Sequence, residues 1–245
     1  MKICLVTTTF YQNVSDVRFG LALKTCQAAR EAGYQIHIVD GSSNPEISSL
    51  LRQAGANVEA EKVKGMGASR RQCFKMGLDS GADVIVWLEP EKGPFVPLIG
   101  PCVEMVGECD IVFPGRMDLV SYPRYQQLSE HRAMWKIGWL TSRPDIDWMF
   151  GPRVLSRKGA ELLMSYDGSC GDTWHILVIP VLWALMNGVK VGSKLVNYIH
   201  PAEQTAAEEG DEEMDRKRDH QRKVLEEAVE TEMMLLRQQQ LDHKM

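Results

Sequence analysis

Five consecutive apolar residues, Val84-Ile-Val-Trp-Leu88, are closed at once by Glu89-Pro90-Glu91. This is the strongest strand signal in the chain, and it reads as a buried strand with two carboxylates at its end. Similar strands precede it, at Lys2–Thr7 and Gln35–Val39, with a short third strand within Ala56–Val63. Between them lie segments with helical spacing and glycine stops: Val17–Ala32 before Gly33, Pro45–Ala54 before Gly55, and Ala68–Asp79 before Gly81. Strands alternating with helices predict βαβ units and an α/β fold with a mixed, mostly parallel sheet flanked by helices.

The second half is less regular. It predicts a strand at Asp110–Pro114, helices over Tyr122–Gly138 and Pro152–Met164, and a long apolar helix over Asp172–Asn187 broken or kinked at Pro180. A last strand covers Val189–Ile199. From Ala202 the composition changes, to a polar linker at Glu203–Gly210 and a charged helix over Asp211–Gln240. The expected organisation is one domain over residues 1–202 and a linker with a charged C-terminal helix over 203–245.

Charge and cysteine usage exclude several function classes. Residues 203–245 hold 13 acidic and 7 basic side chains, leaving 20 acidic and 21 basic in the body. A neutral body argues against nucleic acid as a partner, since that needs a basic footprint. The longest apolar run, Ile176–Met186, is 11 residues, short of the ~20 that a membrane helix needs. The six cysteines show no CxxC pattern, and without a secretory signal they read as free thiols of a cytoplasmic protein.

Ligands of open α/β sheets bind at the carboxyl ends of the strands. Three such ends carry chemistry here: Thr7-Thr8-Thr9-Phe10, Asp40-Gly-Ser-Ser43 and Glu89-Pro-Glu91. Glu89 and Glu91 suit a hard divalent cation with phosphate partners, or form a solvated acidic turn. Gly65-Met-Gly67-Ala-Ser-Arg70-Arg71 opens a helix. It lacks the third glycine of a dinucleotide fingerprint, which argues against a Rossmann dehydrogenase. Its backbone N–H groups and arginines suit a diphosphate, or are a turn with surface arginines. His200 ends the last strand, as a metal ligand or a structural residue. Asp172 stands at a helix start, where capping is the ordinary role. His37 reads as structural, and no role is assigned to His131, His175, His220 or His243.

In this order the pieces resemble the nucleotide-binding half of the GT-A glycosyltransferases, close to their broad family-2 type. Asp40-Gly-Ser-Ser43 stands where that family often has Val-Asp-Asp-Gly-Ser, and Glu89-Pro-Glu91 stands for its Asp-x-Asp metal motif. The segments Tyr122–Gln126, Trp148–Gly151, Gly171-Asp172-Thr173 and Ala184–Gly188, leading to His200, resemble the retaining enzymes that make mannosylglycerate and glucosyl-3-phosphoglycerate.

The resemblance implies a role for each residue. Thr8 would sit by the nucleoside, Asp40 on the base, Gly67 and Arg70 near the diphosphate, and Glu89 at the ribose or metal. Glu91 and His200 would ligate Mn²⁺ or Mg²⁺, and Asp172 would meet the acceptor hydroxyl as the second catalytic group beside Glu91. The function implied is metal-assisted transfer from a UDP- or GDP-sugar to a small-molecule or glycan acceptor, with retention. Competing readings are an inactive interaction protein and a sugar-nucleotide pyrophosphorylase. The latter would want glycine and basic residues in Thr7–Asn13, and there are none.

The C-terminal helix carries Leu225, Val229, Met233 and Leu236 on one stripe. Such a stripe needs a partner, either the body of its own chain or a second copy, and the expectation is a homodimer through this helix.

Overall fold

A computed structural model describes residues 1–242. His243 and the rest of the last three positions lie outside the described residues.

The first half follows the expected alternation. β1 (Ile3–Thr9), α1 (Val17–Glu31), β2 (Gln35–Asp40), α2 (Pro45–Gln53), β3 (Asn57–Ala60), α3 (Met66–Asp79) and β4 (Val84–Trp87) succeed one another. Asp16 caps α1 by accepting from the Arg18 N–H, and Asn44 caps α2 ahead of Pro45 in the first turn. Gly33, Gly55 and Gly81 follow the ends of α1, α2 and α3 at φ of 75°, 104° and 71°, the left-handed region that glycine enters without a Cβ clash. Four parallel strands result, in the order β3-β2-β1-β4.

A 3₁₀ turn (Gly93–Leu98) and α4 (Ile99–Val103) lead to β5 (Ile111–Arg116) and α5 (Arg124–Thr141). The expected helix over Pro152–Met164 is two elements. Arg153–Ser156 is β6, and only Arg157–Met164 is helical, as α6. Ser156 caps α6 by accepting from the Gly159 N–H, which sets the break between strand and helix. β6 runs antiparallel between β4 and β5, and β5 pairs in parallel with β7 (Val191–Val196) at the edge. The whole sheet is ordered β3-β2-β1-β4-β6-β5-β7.

The segment Asp172–Asn187, expected as a helix broken or kinked at Pro180, is broken, and its first part is not α-helical. A 3₁₀ turn covers Trp174–Leu177, and α7 (Ile179–Met186) starts afresh with Pro180 in its first turn. There the missing proline N–H is harmless, so Pro180 starts a helix rather than bending one.

The C-terminal segment departs most from expectation. Glu203–Gly210 is no linker: α8 (Ala202–Glu208) buries Gln204 and Glu208. α9 (Glu212–Asp242) lies along α5 and α7. Its stripe is taken up by its own chain, with Leu225, Val229 and Met233 buried in the core and Leu236 packed against it. The reason for expecting a dimer through this stripe is therefore gone. No described helix is long and apolar enough to cross a membrane, and the six cysteines are free thiols.

Candidate functional site

β4 and β5 run in the same sense, and β6 runs against them. The start of β6 therefore lies beside the carboxyl ends of its neighbours. Arg153, which opens β6, pairs in register with Trp87 at the end of β4. Arg116 ends β5 beside Val196 at the end of β7, four residues before His200. Glu89 and Glu91 follow β4. These groups line one cavity of about 460 Å³, walled on its other side by α5 and by Arg218 and Arg222 of α9. The size is that of a small-molecule site.

The electrostatics of the cavity are set by buried cations. Arg116 is the best paired. Its Nε and Nη2 donate to Asp147 at 2.8 and 2.9 Å, and its Nη1 donates to Glu130 at 2.7 Å. Its guanidinium also lies 4.8 Å from the Tyr122 ring centre. Burial alone would raise the Asp147 pKa, but the Arg116 charge beside it holds it below the usual carboxylate range.

Three other buried cations have no such partner. Arg153 donates to the backbone oxygens of Phe150, Gly151 (3.2 Å) and Pro152 (2.8 Å), and stacks 3.8 Å from the Phe113 ring centre. Lys92 donates to the Tyr122 hydroxyl at 3.0 Å and lies 5.0–5.3 Å from the ring centres of Tyr122, Phe150 and Tyr198. Arg70 is held between Trp87 and Trp174, 5.0 and 4.1 Å from their ring centres, and donates to the Thr173 carbonyl at 2.8 Å. Burial pulls Arg70 down to about 10 and Arg153 to about 9, with Glu89 partly opposing the shift. Among the described residues, no carboxylate oxygen lies within 4.0 Å of any of the three cations.

The sequence-predicted residues divide into two sets. Glu89, Glu91 and His200 share the cavity. Glu89 packs against Gly151, where any Cβ would collide with its carboxylate, and its Oε2 is buried without a hydrogen-bond partner. Glu91 is engaged: Arg18 meets its Oε1 at 2.7 Å, and the Tyr11 hydroxyl donates to the same oxygen at 3.1 Å. His200 stacks on Tyr122 with ring centres 4.1 Å apart, and both of its ring nitrogens are buried and unpartnered. Burial, then Lys92, Arg218, Arg116 and Arg18, push its pKa down to about 2. The imidazole is therefore neutral and faces cations.

The other set lies away from the cavity. Asp40 is buried. Its Oδ1 accepts from the Thr9 hydroxyl (2.9 Å) and the Ser42 N–H (3.0 Å), and its Oδ2 accepts from Ser48. Oδ1 thus ties the ends of β1 and β2 together, and Oδ2 ties β2 to α2. Thr8, at the end of β1, is half-buried and outside the cavity lining. Gly67 lies against Asp172, where a Cβ would collide with the carboxylate, and its N–H donates to the Asp172 carbonyl at 3.0 Å. Asp172 itself grips Arg71 through two hydrogen bonds of 2.6 and 2.9 Å. The Gly67 and Asp172 motifs therefore meet each other, as a joint between α3 and the loop after α6. Arg70 does not line the cavity, although Trp174, whose ring centre is 4.1 Å from its guanidinium, does.

Lys92, Arg116 and Arg153 escaped the sequence reading. A signal existed for two of them. Gly115-Arg116 and Pro152-Arg153 put a cation at the border of an apolar segment, where burial demands a partner.

A divalent cation would need converging oxygen or nitrogen ligands. Among the described residues, no three His, Cys, Asp or Glu side chains are grouped to hold one. Glu91 already answers Arg18, and His200 is surrounded by positive charge. This donor set does not fit a hard divalent ion.

No protein-family model matches the chain, and no curated protein is similar in sequence. Solved structures do match. Glucosyl-3-phosphoglycerate synthase from Mycobacterium tuberculosis, in complex with Mn²⁺, UDP and phosphoglyceric acid, aligns with a TM-score of 0.61 over 95 % of this chain and 78 % of its own, at 13 % identity. Mannosyl-3-phosphoglycerate synthase from Rubrobacter xylanophilus aligns with a TM-score of 0.59 over 100 % of this chain and 75 % of its own, at 15 % identity. The chain thus has a GT-A fold, shared with these two synthases.

Proposed function

We propose that the chain is a glycosyltransferase that moves a sugar from a nucleoside-diphosphate sugar, with uracil or guanine as base, to a hydroxyl of a small-molecule or glycan acceptor. One observation carries the reading. In a fold shared with a UDP-binding synthase, buried cations without carboxylate partners sit at the strand ends where ligands of α/β sheets bind. Removing charges from water is expensive unless an opposite charge meets them. A diphosphate supplies that charge, and its departure from the anomeric carbon is the step that positive groups assist. In the transfer, the bond from the anomeric carbon to the diphosphate oxygen breaks. A bond to the acceptor oxygen forms, and the acceptor proton leaves with the diphosphate.

Retention is the stereochemical outcome we propose. Inversion needs a carboxylate base on the acceptor hydroxyl. Asp172, which the resemblance sets on the acceptor hydroxyl, is clamped by Arg71 and does not line the cavity. Glu91 is engaged by Arg18, and Glu89, whose Oε2 has no partner, is packed against Gly151 within the field of Arg70 and Arg153, the charges assigned to the donor. A cytoplasmic setting fits the free thiols.

The test is a panel of UDP- and GDP-sugars followed by melting temperature, with NMR of the first-formed anomer for any donor that turns over. Stabilisation by one nucleotide series and transfer of its sugar are expected. A panel without any shift overturns the reading, and an inverted product overturns retention alone.

A further inference from the structure

Resting on the nucleotide-sugar reading, we propose that Lys92 and Arg153, backed by Arg70, carry the charge that Mn²⁺ brings in the synthase crystals, so that this chain binds its diphosphate without a divalent cation.

The argument begins with the two sides of the cavity. Its buried carboxylates are largely spent: Glu91 on Arg18, and Glu130 on Arg116 and Arg222. Asp211 and Glu213 line it from the start of α9, the first half-buried and the second exposed, and among the described residues neither is grouped with Glu89, Glu91 or His200 as a metal site. Glu89 alone keeps a buried oxygen without a partner. One carboxylate oxygen and an imidazole ringed by Lys92, Arg116 and Arg18 make a poor cage for a doubly charged ion, which wants six or so oxygen ligands. The cations are the reverse. Lys92 is buried at the turn after β4, its N–H bonded to the Glu89 carbonyl at 3.0 Å, and its ammonium lies over three aromatic faces. Ring faces stabilise a cation without cancelling its charge. Arg153 is almost fully buried, and its Nε has no hydrogen-bond partner.

Place in the chain strengthens the point. Lys92 directly follows the Glu-Pro-Glu run that stands where the GT-A resemblance expects the metal motif. Glu91 is turned to Arg18 at this turn, while the next side chain puts an ammonium on the cavity wall. A side-chain ammonium with three donors can bridge phosphate oxygens as a point charge. A guanidinium beside it offers further donors in a fixed fork.

The experiment is calorimetric titration of the full chain with UDP and with inorganic pyrophosphate, first in EDTA and then with MnCl₂. The expected result is binding of both in EDTA, with Kd values changed by less than about threefold on adding Mn²⁺. Lys92→Met, checked by circular dichroism, is expected to weaken both ligands by about tenfold or more, and Lys92→Arg to recover most of the loss. Tightening of the unaltered chain by more than about tenfold with Mn²⁺ overturns the proposal and leaves the nucleotide reading standing. That measurement holds even if Lys92→Met does not fold. Pyrophosphate binding in EDTA that depends on Lys92, without UDP binding, supports the charge assignment and overturns the nucleotide reading. Failure of both ligands under both conditions overturns both.

Discussion

The two halves of the sheet treat charge in opposite ways. On the β1–β3 side, polar groups at the strand ends are closed on one another. Asp40 is taken up by Thr9, Ser42 and Ser48, and Glu61 accepts from Ser69 and from the Gly65 N–H. On the β4–β7 side, Arg116 is held by two carboxylates, yet Lys92 and Arg153 are buried without any. The first region spends its polar residues on holding strands together. The second leaves charge unanswered, and that marks where a ligand belongs.

The sharpest way to break this contrast is at Asp147, the main partner of Arg116. Asp147→Ala strands a buried guanidinium beside a single carboxylate, and a loss of about 3–5 kcal/mol in urea unfolding is expected. The native ion pair also has a pH signature. The folded pKa of Asp147 is depressed, so its stabilisation is complete above the unfolded carboxylate pKa near 3.8 and is lost as pH falls below it. A variant as stable as the parent would mean that charge is as slack at Arg116 as it is tight at Asp40.

The next prediction concerns the helix that walls the cavity. Leu225→Ala should cost about 2–4 kcal/mol by opening a gap between α9 and the core. Donor binding should weaken with it, because Leu225 and Arg218 line the same cavity. A change in oligomeric mass by light scattering without loss of stability would restore the stripe to a second copy of the chain.

His200 sharpens the contrast through pH. Its pKa is about 2 in the fold against an ordinary 6.5. The unfolded chain therefore takes up a proton below about pH 6.5 that the folded chain refuses, and stability falls as pH drops from there towards 2. Between about pH 7 and pH 5, the parent should lose about 2 kcal/mol more than His200→Gln. His175, buried and also lowered, acts in the same direction in both proteins and cancels in the difference. Parallel pH curves for the two proteins would mean that the imidazole is not held neutral.

The smallest effect is expected at Asp40. Asp40→Asn keeps an acceptor oxygen for Thr9 and Ser42 and alters the bond to Ser48, for a loss of about 1 kcal/mol. UDP affinity should stay within about threefold, since Asp40 is buried outside the cavity lining and both of its oxygens already accept hydrogen bonds from the protein. A much larger loss of affinity at unchanged stability would move function back to the first region.

Strands such as Val84–Trp87 were legible because nearly every residue in them is apolar and a turn follows at once. β6 was not, because Arg153–Ser156 runs into α6 with only Ser156 to mark the change. The stripe on α9 was legible, but its occupant was not, since a period says which face is apolar and not what covers it. Their places after strands bring Glu89, Glu91 and His200 to one cavity. Asp40, Gly67 and Asp172 read the same way from the sequence, and the structure spends them on hydrogen bonds and close packing. Whether a charge is buried without a partner is a property of three dimensions. No spacing in the chain encodes it, which is why Lys92 went unseen, and the borders at Arg116 and Arg153 showed only that a cation there needs a partner.

The unanswered guanidinium of Arg153 also bears on how long the protein survives. An anion drawn to it binds the folded chain and has no such site on the unfolded one, so the fraction unfolded at any moment depends on how much ligand the cell holds. At about a hundred times Kd the folded state gains about 2.7 kcal/mol. Differences of about 1–2 kcal/mol already change protein abundance several-fold through proteolysis of the unfolded form. Supply of its own ligand would then set not only how fast this protein works but how much of it there is.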